Sequence, residues 1–122
     1  SMIPSCVYIQ PEIAVVGLSE AEAKDQGMEV KVVKQIMTSL GKHRILQGER
    51  SFLKLTIDVK HHCIVGVVLM CEQASEMITE LTYLIQDKVS LDRLQLLCHP
   101  HPSLSEAIGD CISKFQEERK DG

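Results

Sequence analysis

Residues 53–71 restrict the architecture more than any other stretch. Leu53, Leu55 and Ile57 alternate with Lys54, Thr56 and Asp58, the period of a strand with one buried face and one wet face. After residues 59–62, the run Cys63-Ile64-Val65-Gly66-Val67-Val68-Leu69-Met70 is apolar almost throughout, as a strand buried on both faces is. Residues 59–62 must turn the chain, so the two runs predict an antiparallel hairpin. The Asn-Gly or Asp-Gly pair usual in such turns is missing. A buried strand needs strand neighbours and a covering layer.

The cover follows directly. Across residues 74–88, Ala74, Met77, Ile78, Leu81, Leu84 and Ile85 share one helical face, while Glu76, Thr79, Glu80, Thr82 and Gln86 lie on the other. Met70 and Met77 read as packing rather than as a ligand box. Residues 90–96 form a second, shorter helix capped by Ser90, with Asp92 and Arg93 outward. Ahead of the hairpin, residues 3–9 read as an edge strand or an extended lead-in to Pro11. Residues 13–16 form a short strand closed by Gly17, and Ser19-Glu20-Ala21-Glu22 is an S-x-x-E capping box opening a helix that Gly27 ends. The β-branched run 30–37 is a further strand, and residues 38–51, with Gly41 and Gly48, read as a long loop. Together these elements predict an α+β fold, a largely antiparallel sheet of roughly three to five strands with helices packed on it, in a single domain over 1–122.

Chemistry concentrates in Cys98-His99-Pro100-His101-Pro102-Ser103-Leu104-Ser105-Glu106. Each proline fixes its own φ and pushes the preceding residue toward extended geometry, so His99 and His101 are expected on a stiff arm. Ser103 to Glu106 then repeats the S-x-x-E spacing, ahead of an apolar face formed by Leu104, Ala107, Ile108, Cys111, Ile112 and Phe115. Two readings of these residues stand side by side. His101 and Glu106 form a general base with an orienting carboxylate, or Glu106 caps the helix while His101 is a turn residue.

Composition removes several function classes. The net charge is −4, and the only aromatic residues are Tyr8, Tyr83, Phe52 and Phe115, which disfavours a nucleic-acid partner. No apolar run reaches the roughly 18 residues of a membrane span, and no signal-peptide pattern opens the chain. The five cysteines, Cys6, Cys63, Cys71, Cys98 and Cys111, are odd in number and lack a C-x-x-C pair, which predicts reduced thiols and a cytoplasmic protein. Cys98, His99, His101 and Cys111 match no common zinc spacing, so no metal is expected. His61-His62-Cys63 reads as turn running into strand. Ser1 ahead of Met2 reads as a tag remnant, and residues 117–122 as a frayed polar tail.

Three blocks carry a resemblance. Pro11-Glu12-Ile13-Ala14-Val15-Val16-Gly17-Leu18-Ser19-Glu20, then Ile64-Val65-Gly66 with Ala74-Ser75-Glu76, then His99 to Glu106 resemble, in this order, the C-terminal dimerisation domain of the pyridine-nucleotide disulfide oxidoreductases. The His-x-His-Pro-Ser-Leu-Ser-Glu block is most similar to the dihydrolipoamide dehydrogenases within that family. Pro100 stands where alanine is common there, and the 59–62 turn lacks the usual glycine. The resemblance implies FAD and NAD domains upstream, absent from this chain, which contains neither G-x-G-x-x-G nor C-x-x-x-x-C. It implies a homodimer built through this domain and oxidation of a lipoamide-like dithiol via FAD and a redox disulfide to NAD. His101 becomes the base lent to the partner subunit, Glu106 its carboxylate, and the backbone of His101 and Pro102 the border of the partner's flavin. Alone, the segment is expected to hold no cofactor and to be inactive. The alternatives are a purely structural dimerisation or interaction module, or a glutathione- or mercuric-reductase-like relative.

Overall fold

The computed structural model describes residues 12–37 and 51–121. The expectations for residues 3–9 and for the loop lie outside these residues, except that Ser51 already begins a strand. The order is β1 (Glu12–Gly17), α1 (Glu20–Asp25), β2 (Val30–Met37), β3 (Ser51–Asp58), β4 (Cys63–Cys71), α2 (Ala74–Gln86), α3 (Leu91–Leu97) and α4 (Pro102–Asp121). The strands form one antiparallel sheet in the order β1-β4-β3-β2, the α+β architecture expected. β4 is paired on both sides, which explains its near-continuous apolar run.

Among the described residues, the three helices that follow β4 form the layer packed on the sheet. Ladder register puts Ala14, Leu69 and Leu53 in one row and Val16, Val67, Leu55 and Val33 in the next. Leu53, Leu55 and Leu69 are fully buried there. α2 covers β1 and β4, α4 covers β2 and β3, and α3 packs on α4. The alternate residues point the other way, with Ile13, Met70, Phe52 and Ile36 in one row and Val15, Val68, Lys54 and Lys34 in another. Ile13 and Val15 on this face are 66% and 67% exposed. The Lys34 ammonium lies 4.5 Å from the centre of the Phe52 ring, covering part of it.

The β3–β4 hairpin turns without an Asn-Gly pair because Asp58 supplies the turn itself. Its carboxylate accepts the Lys60 and His61 amides at 3.0 and 3.1 Å and meets His61 Nδ1 at 2.9 Å, a side-chain mimic of a backbone turn. His62 then takes φ of 54°, and its amide donates to the Asp58 carbonyl at 2.8 Å. Further along, Thr56 pairs with Gly66 but Ile57 with Ile64, so Val65 is an extra, bulged residue. Its carbonyl accepts the Leu18 amide at 2.8 Å. Here β1 leaves the sheet so close to β4 that a Cβ on Gly66 would collide with the Leu18 carbonyl, and one on Gly17 with the Val65 carbonyl.

The α1 capping box forms as expected, with Ser19 accepting the Glu22 amide at 3.1 Å and Glu22 accepting the Ser19 amide at 2.9 Å. Hydrogen bonding from the Ser19 backbone, then from its side chain, lowers the Glu22 carboxyl below its ordinary value. Two helix ends differ from expectation. α2 stops at Gln86 rather than 88, because Lys88 adopts φ of 55° while the Val89 amide reaches back to the Leu84 carbonyl at 3.2 Å, closing the helix as glycine usually does. The expected frayed tail is helical through Asp121, and Glu118 pairs with Lys31 of β2 at 2.8 Å.

Candidate functional site

The site lies where α2, the end of α3 and the start of α4 converge. α2 begins after Gln73, which has φ of 61° and offers no side-chain cap. Its cap comes from the neighbouring edge strand, where Glu12 pairs with Cys71 at the end of β4. Glu12 on β1 accepts the Ser75 amide at 3.1 Å and the Ser75 hydroxyl at 3.0 Å, placing a carboxylate at a helix N-terminus. Leu81, fully buried, seats α2 on the core, and Glu80 and Tyr83 lie on its outer side.

The histidine segment is a turn, not the extended arm expected. The His99 amide donates to the Leu96 carbonyl at 3.3 Å and the His101 amide to the Cys98 carbonyl at 2.9 Å. Cys98 is fully buried and Leu104 nearly so; seating both in the core folds the intervening residues back on themselves. α4 starts at Pro102, and the His101 carbonyl accepts the Ser105 amide at 2.9 Å. Proline suits the first helical position because the amide it lacks would have no helical partner there. The helix therefore begins before Ser103, and the Ser103–Glu106 capping box does not form. Ser105 instead donates its hydroxyl to the Gln95 carbonyl at 3.1 Å, tying α4 to α3. The predicted apolar face of α4 is correct: Leu104, Ala107, Ile108, Cys111, Ile112 and Phe115 are all buried.

His101 sits just ahead of α4, as expected, but its partner is different. Nε2 lies 3.0 Å from Oε2 of Glu80, with the two side chains 28% and 39% exposed. Glu106 is exposed, and no hydrogen bond joins it to His101 among the described residues. Helix geometry gives the reason. Five residues on from His101, at about 100° per residue, Glu106 lies roughly 140° around the helix from it. Glu80 was legible as an outer-face residue of its helix, but no local signal links it to a histidine 21 residues away. Pro102 is exposed at the start of α4.

The four described cysteines offer no second centre. Burial pushes the Cys71 and Cys98 thiols up to about 11, the first aided by Glu12 and Glu72 and the second by Glu80. Burial pushes Cys111 to about 12 against the pull of Lys114, and Cys63 is raised by burial and Asp58. Such thiols are poor nucleophiles and ligands near neutral pH. No group of three or more His, Cys, Asp or Glu side chains is placed to hold a metal among the described residues. A cavity of about 180 Å³, lined by His62, Asp92, Phe115 and Gln116 among others, does not include His101. Among the described residues no helix is long and apolar enough to cross a membrane.

Comparison with known proteins bears on this geometry. The family model of the pyridine nucleotide-disulphide oxidoreductase dimerisation domain matches residues 3–112. Dihydrolipoyl dehydrogenase of Thermus scotoductus is 38% identical over 116 residues, 95% of this chain and 25% of that protein. The Bacillus subtilis dihydrolipoyl dehydrogenase is 36% identical over 111 residues, 90% and 23% of the two chains. Among solved structures, the HOCl-induced flavoprotein disulfide reductase of Escherichia coli superimposes with a TM-score of 0.66 at 27% identity, over 83% of this chain and 23% of that one. The chain thus spans about a quarter of the length of these relatives.

Proposed function

Because the chain belongs to the pyridine nucleotide-disulphide oxidoreductase family as its dimerisation domain, we propose that it pairs two subunits of a dithiol-oxidising flavoenzyme and lends His101 to the partner's reaction centre. The observation that carries the reading is the placement of His101. Its backbone is fixed on both sides, by the Cys98 carbonyl and the Ser105 amide, while its ring is partly exposed and one nitrogen meets a carboxylate. Exposed Tyr83, one turn from Glu80, and exposed Leu96 and Leu97 at the end of α3 supply apolar surface on the same elements. That is where a two-fold partner would be received.

The chemistry asked of His101 is a proton transfer. A thiolate attacks a disulfide sulfur, whereas a thiol does so poorly. A neutral ring nitrogen takes the proton from the substrate S–H, leaving a thiolate and an imidazolium, and a nearby carboxylate steadies the imidazolium. In this proposal Glu106 is the carboxylate that the resemblance supplies, and Glu80 the one that the fold supplies. The substrate is a lipoamide-like dithiol, from the likeness to dihydrolipoyl dehydrogenases. The similar fold of a flavoprotein disulfide reductase keeps a different disulfide substrate as the second reading.

FAD and NAD would be held by the parts of the enzyme outside this segment, which has no dinucleotide fingerprint of its own. Of this chain, His101 and Pro102 fit a flavin's border only as a rim. The His101 amide and carbonyl are already bonded within the chain, so the exposed Pro102 ring and the His101 side chain are what remain to face a ligand. A flavin bound there would supply the acceptor for the electron pair that the dithiol passes on through a redox disulfide.

The test uses the enzyme that contains this segment. His101→Gln should lower dithiol oxidation roughly 10²–10⁴-fold, the range for a positioned base, with flavin content unchanged. Normal turnover in that variant would overturn the reading. The 122-residue chain by itself should be colourless and inactive, and a flavin absorbance spectrum would contradict its assignment.

A further inference from the structure

We propose that Ser105 is a positioning residue for His101: its hydroxyl holds the chain in the turn from which the histidine ring projects. The inference rests on the reading of His101 as a base and names a residue outside the proton transfer on which the placement of that base depends. It starts from one carbonyl. At the end of α3 the Cys98 amide donates to the Leu94 carbonyl at 3.1 Å, as in a regular helix. The next amide breaks the pattern. In a continued helix His99 would donate to Gln95, four residues back, but it donates to the Leu96 carbonyl, three back, at 3.3 Å. This tightening begins the turn and leaves the Gln95 carbonyl without its helical partner.

Ser105 takes up that carbonyl. Its hydroxyl donates to Gln95 at 3.1 Å, while its amide donates to the His101 carbonyl at 2.9 Å. One residue thereby satisfies the tightened end of α3 and holds the far side of the turn. Ser105 is only 7% exposed, so water has little room to stand in for the hydroxyl. Without it, the Gln95 carbonyl regains a partner by recapturing the His99 amide, which lengthens α3 by a residue. The short link from Cys98 to His101 is then drawn along with it. A base acts only when its nitrogen lies within hydrogen-bond reach of the proton it takes, so this shift reaches the chemistry. Gln95 also lies over Gly109, one turn further along α4, where an added Cβ would collide with the Gln95 side-chain amide. That group is the far end of a flexible side chain and can move aside, so Gly109 shares the helix crossing but not the carbonyl.

The test uses the enzyme that contains this segment, with dihydrolipoamide as the dithiol and anaerobic reduction of the flavin as the measured step. Ser105→Ala should slow it about 10-fold, the rate equivalent of roughly one hydrogen bond, with flavin content unchanged. In a His101→Gln background the same change should have no further effect, because a residue that acts through the base has nothing left to position. Gly109→Ala should stay within about twofold of wild type. Ser105→Cys, a weaker donor of similar size, should fall between wild type and alanine, and it serves the same cycle if the alanine variant does not fold. In the ¹⁵N-labelled 122-residue chain, Ser105→Ala should move the amides of His99 and His101 and leave those of Ile57 and Leu81 in place. An unchanged rate in Ser105→Ala, an equal loss in the His101→Gln background, or an equal loss in Gly109→Ala overturns the proposal. Normal turnover in His101→Gln overturns the base reading and this proposal with it. An enzyme that needs His101 but is indifferent to Ser105→Ala overturns this proposal alone.

Discussion

Replacing Asp58 separates a turn made by a side chain from one made by sequence composition. Its carboxylate, in a residue only 7% exposed, accepts two amides and meets the His61 ring, all within 3.1 Å. In Asp58→Ala these bonds to a charged acceptor vanish. Lys60 and His61 are exposed, so water can reach the freed amides and the full cost of burying unpaired groups does not apply. The expected loss is about 2 kcal/mol, which lowers the melting temperature of a domain this size by about 8 °C. Asp58→Asn keeps an acceptor for the amides but loses the charge, and should cost about 0.5–1 kcal/mol. Burial works to raise the Asp58 carboxyl, but hydrogen bonds from the His61 side chain and amide, the His61 charge and the Lys60 amide outweigh it and hold the group below its ordinary value. The native state therefore releases this proton at lower pH than the unfolded chain does. The stabilisation is fully present above the unfolded carboxyl's pKa, about 3.9, and is lost as pH falls through the lower native value. Thermal melts of wild type and Asp58→Asn should show a gap at about pH 5 that narrows toward the acid limit of the folded range. An Asp58→Ala chain melting within a degree of wild type at pH 7 would refute the turn argument. A gap that persists undiminished into acid would refute the charge argument.

Gly66→Ala should cost more than Asp58→Ala, because the new methyl meets the backbone carbonyl of Leu18 rather than a movable side chain; a denaturant midpoint within error of wild type would count against the crossing described. In a Cys6→Ser background, Cys63, Cys71, Cys98 and Cys111, all buried, should react with a thiol reagent at pH 8 only on unfolding. Burial both shields these thiols and keeps them protonated; fast labelling of the native chain would contradict this. Sedimentation should show a dimer that Tyr83→Lys with Leu97→Lys dissociates and Val15→Lys leaves intact. The reverse pattern would move the two-fold contact from the helices to the open face of the sheet.

Local pattern read the buried face of the sheet well, because alternation and burial express the same period. Of the residues expected on the wet face of β3, however, only Lys54 is exposed, and Thr56 and Asp58 are buried. Leu53, Leu55 and Ile57 all face the core, and all six apolar residues of the α4 face are buried. The Ser19–Glu22 box was legible because both partners lie within one turn. Legibility failed wherever the deciding contact was distant or one signal had two solutions. Pro102-Ser103 fits a helix starting at either residue, and burial of Cys98 and Leu104 selects the earlier start. Lys88 ends α2 in a conformation expected of glycine because Val89 must reach back to Leu84. The bulge at Val65 has no sequence mark beyond Gly66, and its cause, the Leu18 amide, belongs to another strand's exit.

The three blocks that carry the family resemblance are not three sites but successive supports of one. Gly17 and Gly66 let β1 cross close to β4 at the Val65 bulge, which fixes where β1 leaves the sheet. The opposite end of β1 carries Glu12, and Glu12 caps α2 through Ser75; the first block thereby holds the second. α2 then presents Glu80, and Glu80 meets His101 of the third block. The third block is itself pinned by Ser105 on Gln95, so the histidine lies between contacts from two helices, α2 and α3. A change at Glu12, which caps the first turn of α2, should consequently loosen Glu80 before it melts the sheet. In nitrogen spectra of the ¹⁵N-labelled chain, Glu12→Ala should shift the ring nitrogens of His101 while the amides of β3 and β4 stay in place. An unaltered ring in that variant would show that Leu81 alone fixes α2, and that the first block serves the sheet and not the site.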